Sequence, residues 1–135
     1  MKYLTIIRHA KSSWDQPSLA DHDRALNERG RRAAPAVASF LHKAYLGGGE
    51  APALLPKPDR LISSTALRAL GTAQIMREVI GMSPESLLLE SRLYLAEPNQ
   101  ILDVVRGFDE TWKHAFLFAH NPGLHEFAER ILARE

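Results

Sequence analysis

The chain has 135 residues, of which 45% are hydrophobic and 24% charged, and 17 Lys and Arg balance 16 Asp and Glu to a formal net charge of +1. This length and composition indicate one ordinary globular domain, residues 1–135, and the near-neutral charge offers no global field for nucleic acid or an anionic membrane. The lack of cysteine excludes disulfides, thiolate chemistry and cysteine-based metal sites. No apolar run reaches transmembrane length, and Arg8 interrupts the first apolar run too early for a signal peptide, so we expect a soluble, cytoplasmic protein.

Four short apolar runs are typical of buried strands, because they are rich in β-branched, leucine or aromatic residues and too short for helices. They cover residues 3–7, 59–63, 87–89 and 115–119. Helical stretches separate these runs, and strands that alternate with helices predict the α/β class with a mainly parallel central sheet.

The helices are predicted from capping residues and from apolar spacing. Asn27 is typical of an N-cap, and the helix that it begins extends to about residue 46. Its apolar residues recur every three or four positions, which predicts the side that faces the core. These positions are Ala33, Val37, Phe40, Leu41 and Ala44. The other predicted helices cover residues 65–80, stopped by Gly81, residues 98–106, and the stretch from about Pro122 to the end.

Reactive side chains follow three of the predicted strands at the point where each strand ends. Arg8 and His9 follow the first strand, and His120 follows the last. The second strand leads into a Ser-Ser-Thr turn and then Arg68. Because ligands of open α/β sheets bind beyond the carboxyl ends of the strands, we expect these side chains to meet at one edge of the sheet.

Two guanidinium groups beside a histidine are suited to an oxyanion pocket that contains a nucleophile. Arginine forms forked, charge-assisted hydrogen bonds to phosphoryl oxygens, and neutral histidine is nucleophilic. Asn121 is typical of an N-cap and Pro122 of a first helical position, so we expect the last helix to direct its positive end into the pocket. Ser63 or Ser64 is expected to cap the second helix in the same way.

The remaining histidines point to no metal site. We expect His42 to be exposed, His114 to precede a strand, and His125 to have a structural role in the last helix. His120 and His125 are five positions apart rather than four, and the run Asp21-His22-Asp23 is too local to enclose an ion. We therefore predict neither a metal nor a cofactor.

The ordered motifs resemble those of the histidine phosphatase (phosphoglycerate mutase-like) superfamily, whose signature is an Arg-His pair directly after the first strand. Residues 8–14 (RHAKSSW) and 21–30 (DHDRALNERG) resemble its small branch, the SixA-type phosphohistidine phosphatases. The later motifs of the family are matched by residues 64–69 with Thr72-Ala73, residues 93–96 and residues 120–124. The resemblance extends in motif order from Met1 to Leu124.

This resemblance implies a three-layer αβα sandwich around a mainly parallel sheet. It implies that His9 is the nucleophile and becomes phosphorylated. Arg8, Arg68 and His120 would hold the phosphoryl oxygens. The reaction would be a two-step phosphoryl transfer in which the arginines take the electrostatic role of a magnesium ion.

Two further residues are candidates for binding the substrate. Arg24, in an Asp-x-x-Arg segment, is either a secondary pocket residue or the partner of a salt bridge at the entrance to the first helix. Asn121 would contribute from the turn after the second histidine. The chain departs from the family at Ala119, where glycine is usual, in the long loop 47–58, and after the last helix, where members continue into a further strand.

The general acid is left open among Glu97, Glu90 and Asp21. A phosphohistidine substrate demands less of such an acid, because the pKa of an imidazole leaving group is near neutral. The leading hypothesis is therefore a phosphatase for phosphohistidine in proteins, with no nucleic-acid or membrane partner. The sequence does not determine the oligomeric state. The alternatives are a phosphatase for small phosphoesters and a catalytically silent phosphate-binding or interaction module.

Overall fold

The four predicted strands form one sheet. They are β1 (Tyr3–Arg8), β2 (Arg60–Ser63), β3 (Leu87–Leu89) and β4 (His114–Ala119). The sheet is parallel throughout, with the order β1-β4-β2-β3. The computed structural model describes residues 2–13 and 18–133, so Met1 and Trp14 of the family resemblance and the end of the last predicted helix, residues 134–135, lie outside the described residues.

Four helices cover the two faces of the sheet. They are α1 (Glu28–Tyr45), α2 (Leu67–Ile80), α3 (Pro98–Arg106) and α4 (Gly123–Ala133). α1 packs with α2 against the face that carries Phe116 and Phe118, and α3 packs with α4 against the face that carries Leu117. The predicted α/β class and three-layer αβα architecture are confirmed. None of these helices is long and apolar enough to cross a membrane, as far as residues 2–13 and 18–133 are concerned.

Local signals determine several helix ends. The Asn27 side chain accepts a hydrogen bond from the Gly30 amide at 2.8 Å, as predicted for an N-cap. Gly81 ends α2 in the left-handed region at φ 81°, also as predicted. The start of α2 differs, because the helix begins at Leu67 and no side chain caps it. The prediction that Ser63 or Ser64 caps this helix is therefore wrong.

The buried side of α1 also differs from the predicted one. Gly30, Ala34 and Ala38 are buried, whereas Val37 and Phe40 are 47% and 60% exposed. Small side chains four positions apart allow α1 to lie close to α2, and larger residues on that side would hold the two helices apart. The apolar spacing identified the helix, and the predicted Leu41 does pack against the core, but the prediction is wrong for the exposed Ala33, Val37 and Phe40.

The register of the sheet aligns the carboxyl ends of three strands. Arg8 lies opposite Ala119 in the pairing of β1 with β4, and Ser63 lies opposite Phe118 in the pairing of β2 with β4. The next residue after each strand therefore enters the same space above the sheet. This is the edge at which parallel α/β sheets bind their ligands.

Candidate active site

A cavity of about 770 Å³ lies at the aligned carboxyl ends of the strands. Among the described residues that line it, five side chains are cationic and one is a carboxylate. These six are Arg8, Lys11, Arg24, Arg29, Arg68 and Asp21. Such an excess of positive charge in a concave site attracts an anion.

His9 follows β1 directly and lines this cavity. Its Nδ1 donates to the Ala10 carbonyl oxygen at 2.6 Å, because a carbonyl oxygen can only accept. Its Nε2 accepts from Nε of Arg68 at 3.3 Å. Burial lowers the pKa of His9 below its usual value of 6.5, the Ala10 hydrogen bond opposes this effect, and the charge of Arg68 lowers the pKa further. His9 is therefore neutral at pH 7, with its lone pair on Nε2.

Thr72 of α2 holds the backbone beside His9. Its Oγ1 accepts a hydrogen bond from the Ala10 amide at 3.0 Å and donates one to the Arg68 carbonyl oxygen at 2.8 Å. One hydroxyl thus links the loop that carries His9 to the helix that carries Arg68. The relative position of these two side chains depends on that link.

The start of α1 supports the same loop from the other side. The Lys11 carbonyl oxygen accepts from the Asn27 amide at 2.9 Å. α1 approaches so closely that a Cβ at position 30 would collide with the Lys11 carbonyl oxygen. Gly30 is therefore required by the close approach of two backbones.

Arg68 and Asp21 form the central ion pair of the cavity. Arg68, 3% exposed, donates from Nη1 to the Asp21 carbonyl oxygen at 2.7 Å and from Nη2 to Oδ2 at 2.9 Å. Asp21 also accepts from the Tyr94 hydroxyl at 2.6 Å and from Nη2 of Arg24 at 2.8 Å. The hydrogen bond from Tyr94, with those from the arginines, holds the pKa of Asp21 far below its usual value. Asp21 is a permanent carboxylate that orients Arg68.

The two roles left open for Arg24 coincide in the structure. Arg24 is buried and lines the cavity, and it forms a salt bridge with Asp21 and donates from Nη1 to Ser12 Oγ at 2.7 Å. Arg8, at the end of β1, is exposed and lines the same cavity. Its charge contributes to the lowered pKa of His9.

His120 follows β4 and lies beside His9, with 5.3 Å between the ring centroids. It is 3% exposed, and its Nε2 lies 2.8 Å from Ser64 Oγ. Its Nδ1 is the buried side-chain nitrogen or oxygen that lacks a hydrogen-bond partner in the described part of the chain. Burial, followed by the charge of Arg68, lowers the pKa of His120 to about 4. The ring is therefore neutral at pH 7.

Asn121 lines the cavity and also bonds to the first turn of the helix after it. Its Oδ1 accepts from the His125 amide at 3.1 Å, and the amides of Leu124 and Glu126 are bonded within the same turn. α4 begins at Gly123, one residue later than predicted. Three amides at the start of α4 are thus bonded within the turn, and the expectation that the positive end of this helix points into the pocket stays a prediction.

The substitution of Ala119 for the usual glycine leaves the strand end undisturbed. Ala119 is fully buried as the last residue of β4. Among the described residues, Leu95 is the one non-glycine residue with positive φ. The backbone at Ala119 thus needs no glycine, and a methyl group fits.

The three candidate acids have different surroundings. Glu90 accepts from the backbone amide and from Nη2 of Arg92, which lowers its pKa. Glu97 is exposed, and neither glutamate belongs to the described lining of the cavity. Asp21 belongs to it but is held deprotonated. None of the three is thus a carboxylic acid ready to donate a proton in the cavity.

The histidines outside the cavity have other partners. His114 is fully buried in β4, where Nδ1 donates to the Pro56 carbonyl oxygen at 2.6 Å. His125 is exposed and pairs with Glu129 one turn along α4 at 2.7 Å, outside the cavity, which agrees with the structural role expected for it. No group of three or more His, Cys, Asp or Glu residues could hold a metal ion within residues 2–13 and 18–133.

Sequence reasoning missed the supporting residues of the cavity. Ser64, Thr72 and Tyr94 all fall inside motif segments, but nothing in the sequence says what each one contacts. Their partners are His120, Ala10 and Asp21, which are distant in the chain. Their positions within the motifs were the available signal that these residues matter. Their contacts could be identified only from the folded structure.

Residues 4–93 match the family described as the histidine phosphatase superfamily (branch 1). The chain belongs to this family. Curated relatives include an uncharacterized protein of Mycobacterium leprae, 29% identical over 121 residues, and one of Mycobacterium tuberculosis, 32% identical over 116 residues. Each alignment covers 86% of this chain, but only 65% and 63% of the respective relative, so the chain spans slightly less than two thirds of their length.

Solved structures confirm the phosphoglycerate mutase-like fold and the SixA-type resemblance. A candidate phosphohistidine phosphatase SixA from Agrobacterium tumefaciens is 25% identical with a TM-score of 0.78, covering 96% of this chain and 76% of that one. The protein histidine phosphatase SixA in complex with tungstate is 17% identical with a TM-score of 0.75, covering 93% and 73%. A mycobacterial glucosyl-3-phosphoglycerate phosphatase is 18% identical with a TM-score of 0.67, covering 96% and 79%. The last two similarities concern the fold alone.

Proposed function

We propose that this chain is a metal-independent phosphatase that acts through a phosphohistidine intermediate on His9, with phosphohistidine in proteins as its substrate. The observation that carries the proposal is the state of His9. Its Nδ1–H is bonded to a carbonyl oxygen, and its Nε2 lone pair lies in a cavity lined by cationic side chains. A neutral imidazole with an accessible lone pair is a nucleophile, and the surrounding charges favour the approach of a phosphoryl group.

In the first step, Nε2 of His9 attacks phosphorus and the bond from phosphorus to the leaving group breaks. The electron pair of that bond goes to the leaving group. Arg68 releases its long 3.3 Å hydrogen bond to Nε2 and donates to the phosphoryl oxygens, together with Arg8, Arg24 and His120. Three of the five N–H groups of Arg68 are used within the protein before the reaction, which leaves two for the ligand, and the Nε–H becomes a third when it releases His9.

In the second step, water attacks the phosphorus of phosphorylated His9. The phosphorus–nitrogen bond breaks, its electron pair returns to Nε2, one proton of the water passes to a phosphoryl oxygen, and inorganic phosphate leaves. The arginines neutralise the charge that develops on the phosphoryl oxygens, which is the role of magnesium in many phosphoryl transfers. The cationic lining therefore supports hydrolysis without an added metal.

The acids near the site favour one class of leaving group. Asp21 is held deprotonated by Tyr94 and the arginines, so it does not protonate an alkoxide. A phosphoimidazole that carries a proton on its second nitrogen leaves as neutral imidazole and needs no acid from the enzyme. This chemistry supports phosphohistidine over an alkyl phosphate, as does the similarity to a candidate SixA phosphatase.

The test is release of inorganic phosphate from a phosphohistidine protein and from p-nitrophenyl phosphate, with and without EDTA. The variants are His9→Ala and, as a matched control, His125→Ala, which removes an exposed histidine outside the cavity. We expect EDTA-resistant turnover of the phosphohistidine protein that is lost in His9→Ala and retained in His125→Ala. Turnover of the aryl ester alone would instead assign the chain to small phosphoesters. Inactivity on both substrates, with phosphate binding retained, would instead identify the chain as a catalytically silent phosphate-binding module.

A further inference from the structure

We infer that Ser64 is a positioning residue that holds His120 in the tautomer with its hydrogen on Nδ1, so that this histidine donates to the phosphoryl group while uncharged. The inference rests on the proposed function, because it concerns the same cavity. It follows that the two neutral histidines have different roles. His9 offers a lone pair to phosphorus, and His120 offers an N–H to a phosphoryl oxygen.

Ser64 is placed for this role by the sheet. It directly follows β2, it is fully buried, and its amide donates to the Phe118 carbonyl oxygen of β4 at 2.9 Å. That bond fixes its backbone two residues away from His120 along the adjacent strand. Its Oγ lies 2.8 Å from His120 Nε2, which is a short hydrogen bond between two buried groups.

The hydrogen atoms of this contact can be assigned from the partners of Ser64. The Ala66 amide donates to Ser64 Oγ at 3.3 Å, and an amide N–H cannot accept in return. The hydroxyl hydrogen of Ser64 then needs an acceptor, and His120 Nε2 is the one that the described contacts provide. A buried hydroxyl that donates to no acceptor is disfavoured. Ser64 therefore donates to Nε2, and the single hydrogen of neutral His120 is on Nδ1.

This assignment explains the unpartnered nitrogen. Nδ1 of His120 is buried and has no partner in the described part of the chain, although His120 lines the cavity beside His9. A buried N–H without an acceptor is costly, and a phosphoryl oxygen in the cavity would supply one. In the opposite tautomer, Nδ1 would carry a lone pair and could not donate to a phosphoryl oxygen.

The tautomer of His120 matters because the ring is neutral. Burial and the nearby charge of Arg68 lower the pKa of His120, so a protonated imidazolium is disfavoured at pH 7. A neutral histidine donates from only one nitrogen, and the tautomer decides which one. A hydroxyl that donates to Nε2 is thus sufficient to direct the donor into the cavity.

The test combines NMR of the histidine ring nitrogens with kinetics. In the wild-type protein we expect His120 to show a protonated Nδ1 and a bare Nε2. In Ser64→Ala we expect a mixture of tautomers, a loss of about tenfold to hundredfold in kcat/KM, and weaker binding of inorganic phosphate. Ser64→Thr keeps the hydroxyl and is expected to restore both the tautomer and most of the rate.

Ser63→Ala is the matched control, because Ser63 is an equally buried neighbour whose hydroxyl donates to the Ser64 carbonyl oxygen and not to His120. We expect it to leave the tautomer of His120 as in the wild type. A protonated Nε2 on wild-type His120 would overturn the inference without any variant. So would a Ser64→Ala protein that keeps the Nδ1–H tautomer and a kcat/KM within about threefold of wild type. Inactive wild-type protein would overturn the proposed function instead, because the tautomer is read in the ligand-free state.

Discussion

Arg68→Ala is the substitution for which the structure allows the most detailed expectation. Arg68 donates to Nε2 of His9, to the Asp21 carbonyl oxygen and to Asp21 Oδ2, and it is 3% exposed. Alanine removes the guanidinium group and leaves the backbone of α2 intact. His9 loses its neighbouring charge, and under the proposed function the phosphoryl group loses the N–H groups of Arg68 that the protein does not use.

The magnitude follows from these donors. The loss of one preorganised donor to developing charge costs about 10²- to 10³-fold in kcat, or about 2.7–4 kcal/mol. Two donors that act on the same group are not additive, so we expect a loss of about 10²- to 10⁴-fold in kcat/KM. The folded state should change much less. Asp21 keeps Arg24 and Tyr94 as partners, and its side chain is 41% exposed, so solvent screens the lost ion pair.

The assay is kcat/KM on the phosphohistidine protein, with thermal unfolding measured on the same preparations. Arg77→Ala is the matched control, because Arg77 is on the same helix but donates to the Met82 carbonyl oxygen outside the cavity. Arg68→Lys should recover little activity, since an ammonium group cannot reproduce the forked contact with Asp21. An Arg68→Ala enzyme within about threefold of wild type would refute the assignment of Arg68 to the phosphoryl site.

Three further outcomes are expected. Asp21→Asn should lower kcat/KM by about tenfold for p-nitrophenyl phosphate and for the phosphohistidine protein alike, because Asp21 acts by orienting arginines. A much larger loss of kcat/KM for the substrate whose leaving group has the higher pKa would identify Asp21 as an acid. The folded pKa of His120 is below its unfolded value, so its contribution to stability should be lost as pH falls from about 6.5 to about 4. We expect the free energy of unfolding, measured with urea, to fall by about 3 kcal/mol over this pH range because of His120. The His120→Gln variant should lack this contribution, and a pH dependence equal to that of the wild type would contradict the prediction. Gly123→Ala should destabilise the fold by at least about 1–3 kcal/mol, because its Cβ would collide with the Ala96 carbonyl oxygen, whereas Gly107→Ala meets only ordinary contacts and serves as the control.

The candidate site residues were accessible from the sequence because each lies at or directly after the end of a strand. Arg8, His9 and His120 come directly after apolar runs, and parallel strands bring their carboxyl ends to the same edge. The Asn27 cap and the Gly81 stop were also predictable, since both act on the backbone within a few residues. These signals are local, so the chain order alone exposes them.

The incorrect predictions arose where a side chain had a choice of partner. Serine is a residue type that often caps helices, but the Ser64 side chain bonds to His120, which follows the neighbouring strand β4. Val37 and Phe40 fit an apolar helical period, yet the small residues of α1 are the ones against α2. Asp21 was one of three candidate acids, but Tyr94 and Arg68 from distant segments hold it as a carboxylate together with the nearby Arg24.

The sequence by itself determined the class of fold, the order of its elements, the ends of several helices and the edge at which the reactive residues gather. Only the tertiary structure decided the chemical state of those residues. The lone pair of His9, the permanent charge of Asp21 and the hydrogen position on His120 depend on hydrogen bonds and burial. Those depend on which distant groups come within about 3 Å, a distance that chain order does not specify.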